Sequence, residues 1–123
     1  VLARQFRLTK PGDFARVYAE KKSWANRWLV LYKAPNGLEN SRFGFSASRR
    51  IGGAVVRNRA KRLMREAVRK QLDQVLSGWD VVFIARKDLV DAGYDVVEQS
   101  VRHLLQLAQL VRPAEVSAQS KEK

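Results

Sequence analysis

The densest chemistry in the 123-residue sequence runs Arg57-Asn58-Arg59-Ala60-Lys61-Arg62-Leu63-Met64-Arg65-Glu66-Ala67-Val68-Arg69-Lys70. Wound at about 100° per residue, Arg57, Lys61, Arg65 and Arg69 form one continuous i, i+4 ridge. Asn58 and Arg62 flank the ridge, and Arg59 lies further round. Val56, Ala60, Leu63, Met64 and Ala67 collect on the other side. One face of this helix therefore packs, and the other presents cations. Like charges at this spacing cost roughly a few tenths of a kcal/mol per pair, so a ridge of four calls for an anionic partner. Arginine outnumbers lysine here, which suits planar, bidentate contacts with phosphate. The Asn58 amide donates and accepts, so it can fix a neighbouring Arg or reach a sugar or base edge.

The charge of the whole chain agrees. Its formal net charge is +12, and residues 41–70 hold 10 Lys/Arg against a single acid. Such an excess points to a polyanion: RNA, DNA or an anionic membrane surface. A basic amphipathic helix also suits a membrane surface or a calmodulin-type partner. Here its apolar side has a sheet to bury against and carries no aromatic anchor, which favours nucleic acid. The sequence holds no cysteine and one histidine, His103. Disulfides, thiolate catalysis and Cys- or His-rich metal sites are thereby excluded, and a Ser-His-Asp triad is disfavoured. No Gly-rich phosphate loop is present. Asp88, Asp91 and Asp95 can be drawn as a metal site, but they fit a connection and the acidic first turn of a helix better. The polypeptide is expected to hold no metal and to perform no bond chemistry by itself.

The elements that must position these groups follow from periodicity and punctuation. A first helix is predicted over Thr9–Lys22, capped by Thr9, with Phe14, Val17 and Tyr18 on one face. Strands are predicted over Arg27–Ala34 and Ser41–Arg49, joined as an antiparallel pair through Pro35-Asn36-Gly37, with a short earlier strand near Ser23–Ala25. Gly44 marks a bulge or a close backbone approach. The basic helix is expected from Val55 to Leu76, stopped by Ser77-Gly78. Trp79–Ala85 reads as a buried strand whose one charged residue is Asp80. A last helix is expected over Tyr94–Leu110 and is broken by Pro113. Strand, long helix and strand in succession imply a parallel pair, hence a mixed sheet and an α+β fold. Length and a 46% apolar content allow one domain, residues 1–112, with a polar and aperiodic tail over 113–123. No run of about 18 apolar residues crosses a bilayer, and the chain reads as soluble and cytoplasmic with no membrane partner.

Phe14, Tyr18 and Tyr32 form a second constellation. Aromatics at helical spacing ordinarily pack in a core. If the first helix lies across the sheet, the same rings line a groove that stacks unpaired bases between basic flanks.

The stretch from Phe43-Gly44-Phe45-Ser46-Ala47-Ser48-Arg49-Arg50-Ile51-Gly52-Gly53 through Ala54-Val55-Val56-Arg57-Asn58-Arg59-Ala60-Lys61-Arg62 to Arg65-Glu66 resembles the signature of the protein component of bacterial ribonuclease P. Asp13-Phe14 with Val17-Tyr18, Ala25-Asn26-Arg27 leading to Leu31-Tyr32, and Ile84-Ala85-Arg86-Lys87 resemble its flanks. Tyr18 replaces a Phe frequent among relatives, and Arg49-Arg50 replaces lysines. The resemblance implies a four-stranded mixed sheet with three helices in the order αβββαβα, similar to a ribosomal-protein domain and with a left-handed βαβ crossover. It implies an accessory subunit of a ribonucleoprotein endoribonuclease. The RNA subunit of that enzyme is the catalyst, magnesium is held mainly by RNA, and no small-molecule cofactor takes part. The substrate is precursor tRNA, which loses its 5′ leader. Arg49, Arg50, Arg57, Asn58, Arg59, Lys61, Arg62, Arg65 and Arg69 would face the RNA subunit. Phe14, Tyr18, Val30, Tyr32, Ser46 and Ala85 would line a cleft for the single-stranded leader.

Overall fold

The computed structural model describes residues 2–112; the expected tail at 113–123 lies outside them. The order is α1 (Pro11–Ala19), β1 (Ser23–Ala25), β2 (Leu29–Pro35), β3 (Arg42–Ser46), α2 (Ala54–Gln71), β4 (Trp79–Ala85) and α3 (Tyr94–Leu107). This is an α+β fold with a mixed four-stranded sheet in the spatial order β1-β2-β4-β3. β2 runs antiparallel to both β1 and β4, and β3 runs parallel to β4.

The expected hairpin between β2 and β3 is not formed. β4 lies between them, so each pairs with β4 and neither with the other. The link from Asn36 to Ser41 must step over one strand, a distance of about 10 Å. It does so as a built loop. The Asn36 side chain donates to Asn40 O at 3.1 Å and accepts from Leu38 N at 2.7 Å. Turn chemistry in the sequence marks a reversal, but it does not say which strand arrives beside it.

Alternation along the strands divides the sheet into two faces. Leu29, Leu31, Phe43, Val81 and Phe83 point to one side. There they join Ala60, Met64, Ala67 and Val68 of α2 and Val97, Val101, Leu104 and Leu105 of α3 in the main core. Among the described residues, the other face is covered only by α1 and the segment before it. Its closed core is small: Leu8, Val17, Ala34 and Val82.

Several boundaries differ from the periodicity, among them α1, which stops at Ala19 and not Lys22, and β3, which stops at Ser46 and not Arg49. Lys10 caps α1 without a side-chain bond and Pro11 takes the first turn, so Thr9 is not the cap. α2 ends at Gln71 and passes into a 3-10 turn at Leu72–Gln74, leaving Gly78 (φ +91°) to turn the chain into β4. α3 stops at Leu107, ahead of Pro113, with Gln109 left-handed at φ +58°. Lys33 secures that end: its Nζ donates to Ala108 O at 2.7 Å, 4.2 Å from the Trp79 ring and 5.3 Å from the Trp24 ring. Burial and the nearby Lys22 charge lower the Lys33 pKa. A cation near a helix C-terminus is favoured by the helix dipole, and the two rings add cation–π attraction. Trp24 and Trp79 thus have a structural task, and Trp28 stacks beneath Arg27 at 4.6 Å.

Candidate nucleic-acid interface

The basic segment begins where β3 ends. Ser48 Oγ accepts from Arg50 N at 3.2 Å and opens a 3-10 turn that leaves Arg49 and Arg50 exposed. Gly52 follows with φ +150°, and a Cβ there would lie 2.9 Å from Val56. Only glycine accepts both the backbone angle and the close approach of α2.

On α2 the apolar side forms as the spacing predicts, with Ala60, Met64, Ala67 and Val68 buried. The nine cations and amides predicted for this region do not act alike. Asn58 and Arg62 are exposed. Arg57, Lys61 and Arg65 are half-buried along their stems, and the Arg57 Nε has no hydrogen-bond partner among the described residues. Arg65 sits over the Phe45 ring at 5.7 Å. Arg59 turns away from the ridge and donates to Val90 O at 3.2 Å and Ala92 O at 3.3 Å, tying α2 to the turn at Lys87–Asp91. Arg69 hydrogen-bonds Glu66, which raises the arginine's pKa and lowers the carboxyl's. The uncompensated ridge is therefore Arg57, Lys61 and Arg65, with Arg49, Arg50 and Arg62 beside it.

On the other face, α1 packs over β2 and β4, and its side chains reach across to β3. Phe14 rests on Gly44, where a Cβ would come within 2.5 Å of the ring, so this glycine serves close approach. Phe14 and Tyr18 have centroids 6.4 Å apart, and Tyr18 meets Tyr32 edge-on at 5.1 Å. Burial pushes the Tyr18 phenol above its ordinary pKa, and the Ser46 side chain acts on it in the opposite sense. Phe14, Tyr18, Val30, Tyr32 and Ser46 are all half-buried, and together they form the candidate trough on this face. Ala85 is not among them. It pairs with Leu29 and lies in the main core, on the opposite side of the sheet. The period of two puts its neighbour Ile84 in the trough, packed against the α1 cluster and paired with Val30.

Beneath α1, Asp80 is fully buried and accepts from Arg42 Nε at 2.9 Å and Arg42 Nη2 at 2.7 Å. Asn36 Nδ2 donates to it at 3.0 Å, and Arg16 of α1 pairs with it too. Burial alone would raise the Asp80 pKa; the hydrogen bonds from Arg42 and Asn36 and the two guanidinium charges outweigh it and hold the pKa below the ordinary carboxylate value. In the sequence Asp80 stands out only as the one charge in a buried strand. That is signal enough to demand cationic partners.

The two surfaces meet round the edge of β3. A hollow of about 250 Å³ there is lined by Arg7, Leu8, Thr9, Phe14, Phe43, Phe45, Lys61 and Arg65. Phe14 belongs to the trough, and Lys61 and Arg65 belong to the ridge. Elsewhere, Asp88 pairs with Arg27 at 2.8 Å, and no three metal-ligating side chains gather among the described residues. His103 is exposed on α3, 3.2 Å from the Asn26 amide.

Known proteins resemble this chain in sequence and in fold. The ribonuclease P family model matches residues 2–109. A ribonuclease P protein component from Alkaliphilus oremlandii is 41% identical over 108 residues, covering 88% of this chain and 95% of its own. The solved ribonuclease P protein of Staphylococcus aureus superposes with a TM-score of 0.80 at 32% identity, covering 87% of this chain and 98% of that one. The Thermotoga maritima protein gives 0.74 at 33% identity, over 80% and 94%. On that family match and the extent of these likenesses, the chain belongs to the ribonuclease P protein family.

Proposed function

We propose that the ridge of α2 docks on the catalytic RNA while the trough under α1 holds the single-stranded 5′ leader of precursor tRNA. The chain is the protein subunit of ribonuclease P, the endoribonuclease that removes that leader. The RNA subunit is the catalyst and the polypeptide is accessory. The observation that carries the division of labour is the continuity round β3: half-exposed rings open directly onto Lys61 and Arg65. Rings take bases by stacking, and guanidinium and ammonium groups take the backbone between them. The RNA-facing group is Arg49, Arg50, Arg57, Asn58, Lys61, Arg62 and Arg65. Arg59 supports it by tying α2 to Val90 and Ala92, and Arg69 by its bond to Glu66 within the helix.

Magnesium enters the reaction on RNA ligands. On this reading the protein supplies charge and shape. Its part is to bring two polyanions together and to hold the leader extended beside the RNA active centre. Neutralising phosphate repulsion lowers the amount of magnesium the RNA needs. The compartment that fits this task is the cytoplasm, where precursor tRNA is made in bacteria.

The test is cleavage of precursor tRNA near threshold magnesium by protein alone, bacterial ribonuclease P RNA alone, and both. Only the mixture should cut, at the mature 5′ end. Cutting by the protein alone, or no rescue of the RNA, overturns the reading. In the mixture, R57A/K61A/R65A should flatten the log–log salt dependence of RNA binding by about 0.7–0.9 for each phosphate that is no longer neutralised.

A further inference from the structure

The trough does not end at Phe14. The hollow it shares with α2 has Arg7 and Thr9 in its wall, and these same residues also line a second hollow, of about 440 Å³. The remaining walls of that second hollow are Arg4, Lys10, Asp13 and Arg42. Four cations thus surround one carboxylate. Arg42 is committed to Asp80 and lies 3.8 Å from Asp13. Arg4, Arg7 and Lys10 are exposed and have no carboxylate partner among the described residues.

The segment that carries them is held in place. Leu2 and Leu8 are buried, and Leu8 N donates to Phe43 O at 2.8 Å. Arg7 Nε donates to Leu2 O at 2.7 Å, and Asn40 Nδ2 donates to Gln5 O at 2.9 Å. A cationic hollow built on fixed backbone binds without the cost of ordering a loose arm.

Its place in the fold says what would lie there. Along β3, Tyr18 stands by Ser46, Phe14 by Gly44, and Asp13 by Arg42. The exposed pair Arg49 and Arg50 lies beyond the Ser46 end, and the second hollow lies at the Arg42 end. A strand that enters the trough at the Arg49–Arg50 end leaves it at Arg7, Arg4 and Lys10.

We propose that Arg4, Arg7 and Lys10 form a phosphate-binding exit that holds the leader backbone upstream of the nucleotides in the trough. The proposal rests on the trough being the leader site, and the experiment separates the two. Holoenzyme reconstituted with bacterial ribonuclease P RNA is titrated with precursor tRNAs whose leaders lengthen one nucleotide at a time, alongside mature tRNA. The wild type should gain affinity in two stages, first as the trough fills and then as the strand reaches the exit. R4Q/K10Q changes two exposed side chains. It should erase the second stage, a loss of roughly tenfold, the scale of one charge-assisted hydrogen bond. Short leaders, mature tRNA and RNA-subunit affinity should be unchanged. Two stages that survive in R4Q/K10Q overturn the exit alone. So does a loss equal at every leader length, or one seen in RNA-subunit binding, because either result places these cations on another RNA. A wild type indifferent to any leader overturns the trough reading and the exit with it.

Discussion

The two faces of one sheet are built to different standards. Beneath α2 and α3 the core is continuous, and Phe43, Phe83, Leu31 and Met64 are buried to 1% exposure or less. Beneath α1 four buried residues suffice, ringed by half-exposed aromatics. The second face is held as much by ions as by apolar area, because Asp80 ties Arg16 of α1 to Arg42 of β3. A sealed core cannot admit a base; under the proposed function the half-buried rings of the thin one would receive it.

That contrast can be broken in four places. F83A, on the closed face, should cost about 3–5 kcal/mol of stability in urea unfolding, since it leaves a large cavity. Its preference for precursor over mature tRNA should survive at temperatures where it stays folded. A changed preference would show that the faces are not separable. D80N should cost about 3 kcal/mol, the range for breaking a buried pair and stranding its arginines. It should also weaken leader preference by loosening α1. Its pH signature has a definite sign. The Asp80 pKa is depressed on folding, so its contribution is whole above the unfolded carboxylate value of about 3.9 and is lost as pH falls through the folded pKa. Urea midpoints of the wild type should therefore fall more steeply into acid than those of D80N.

Y18A should cost roughly 1–3 kcal/mol of binding for each base it no longer stacks, for leader-bearing substrate only. An equal loss on mature tRNA would exclude the trough. G44A is the finest probe. Its new methyl displaces the Phe14 ring and should cost about 1 kcal/mol of stability, while shifting which leader nucleotide gains most from the trough. Unchanged leader preference with a displaced ring would show that Phe14 supports α1 and does not bind bases.

What is legible in the sequence follows the same division. The i, i+4 ridge and the apolar back of α2 come out as spaced, because both depend on one helix alone. β4 has its expected ends, because a seven-residue stretch between Gly78 and Arg86, apolar but for Asp80, leaves little choice. Pairing is not legible. Nothing in Pro35-Asn36-Gly37 reveals that β4, made after α2, takes the place beside β2. The Ala85 assignment fails on parity: alternation from Tyr32 across its partner Val82 selects Ile84, but only once that register is known. Arg59 and Arg69 look like their neighbours because charge alone does not show which cation already has a partner.

The strand order has a consequence for the chain as it is synthesised. The strand that joins β2 to β3 is the last of the four to leave the ribosome. Until Trp79–Ala85 has emerged, β2 and β3 have no common neighbour, and the floor beneath Met64 and Val68 lacks Val81 and Phe83. A nascent chain halted before that point carries seven of its eighteen Lys/Arg on an incompletely supported, amphipathic segment. Sheet closure and the shaping of the RNA-binding face are then one late event, and closure through such distant pairings is slow. The nascent chain is thus strongly cationic before it has a shape that discriminates among RNAs.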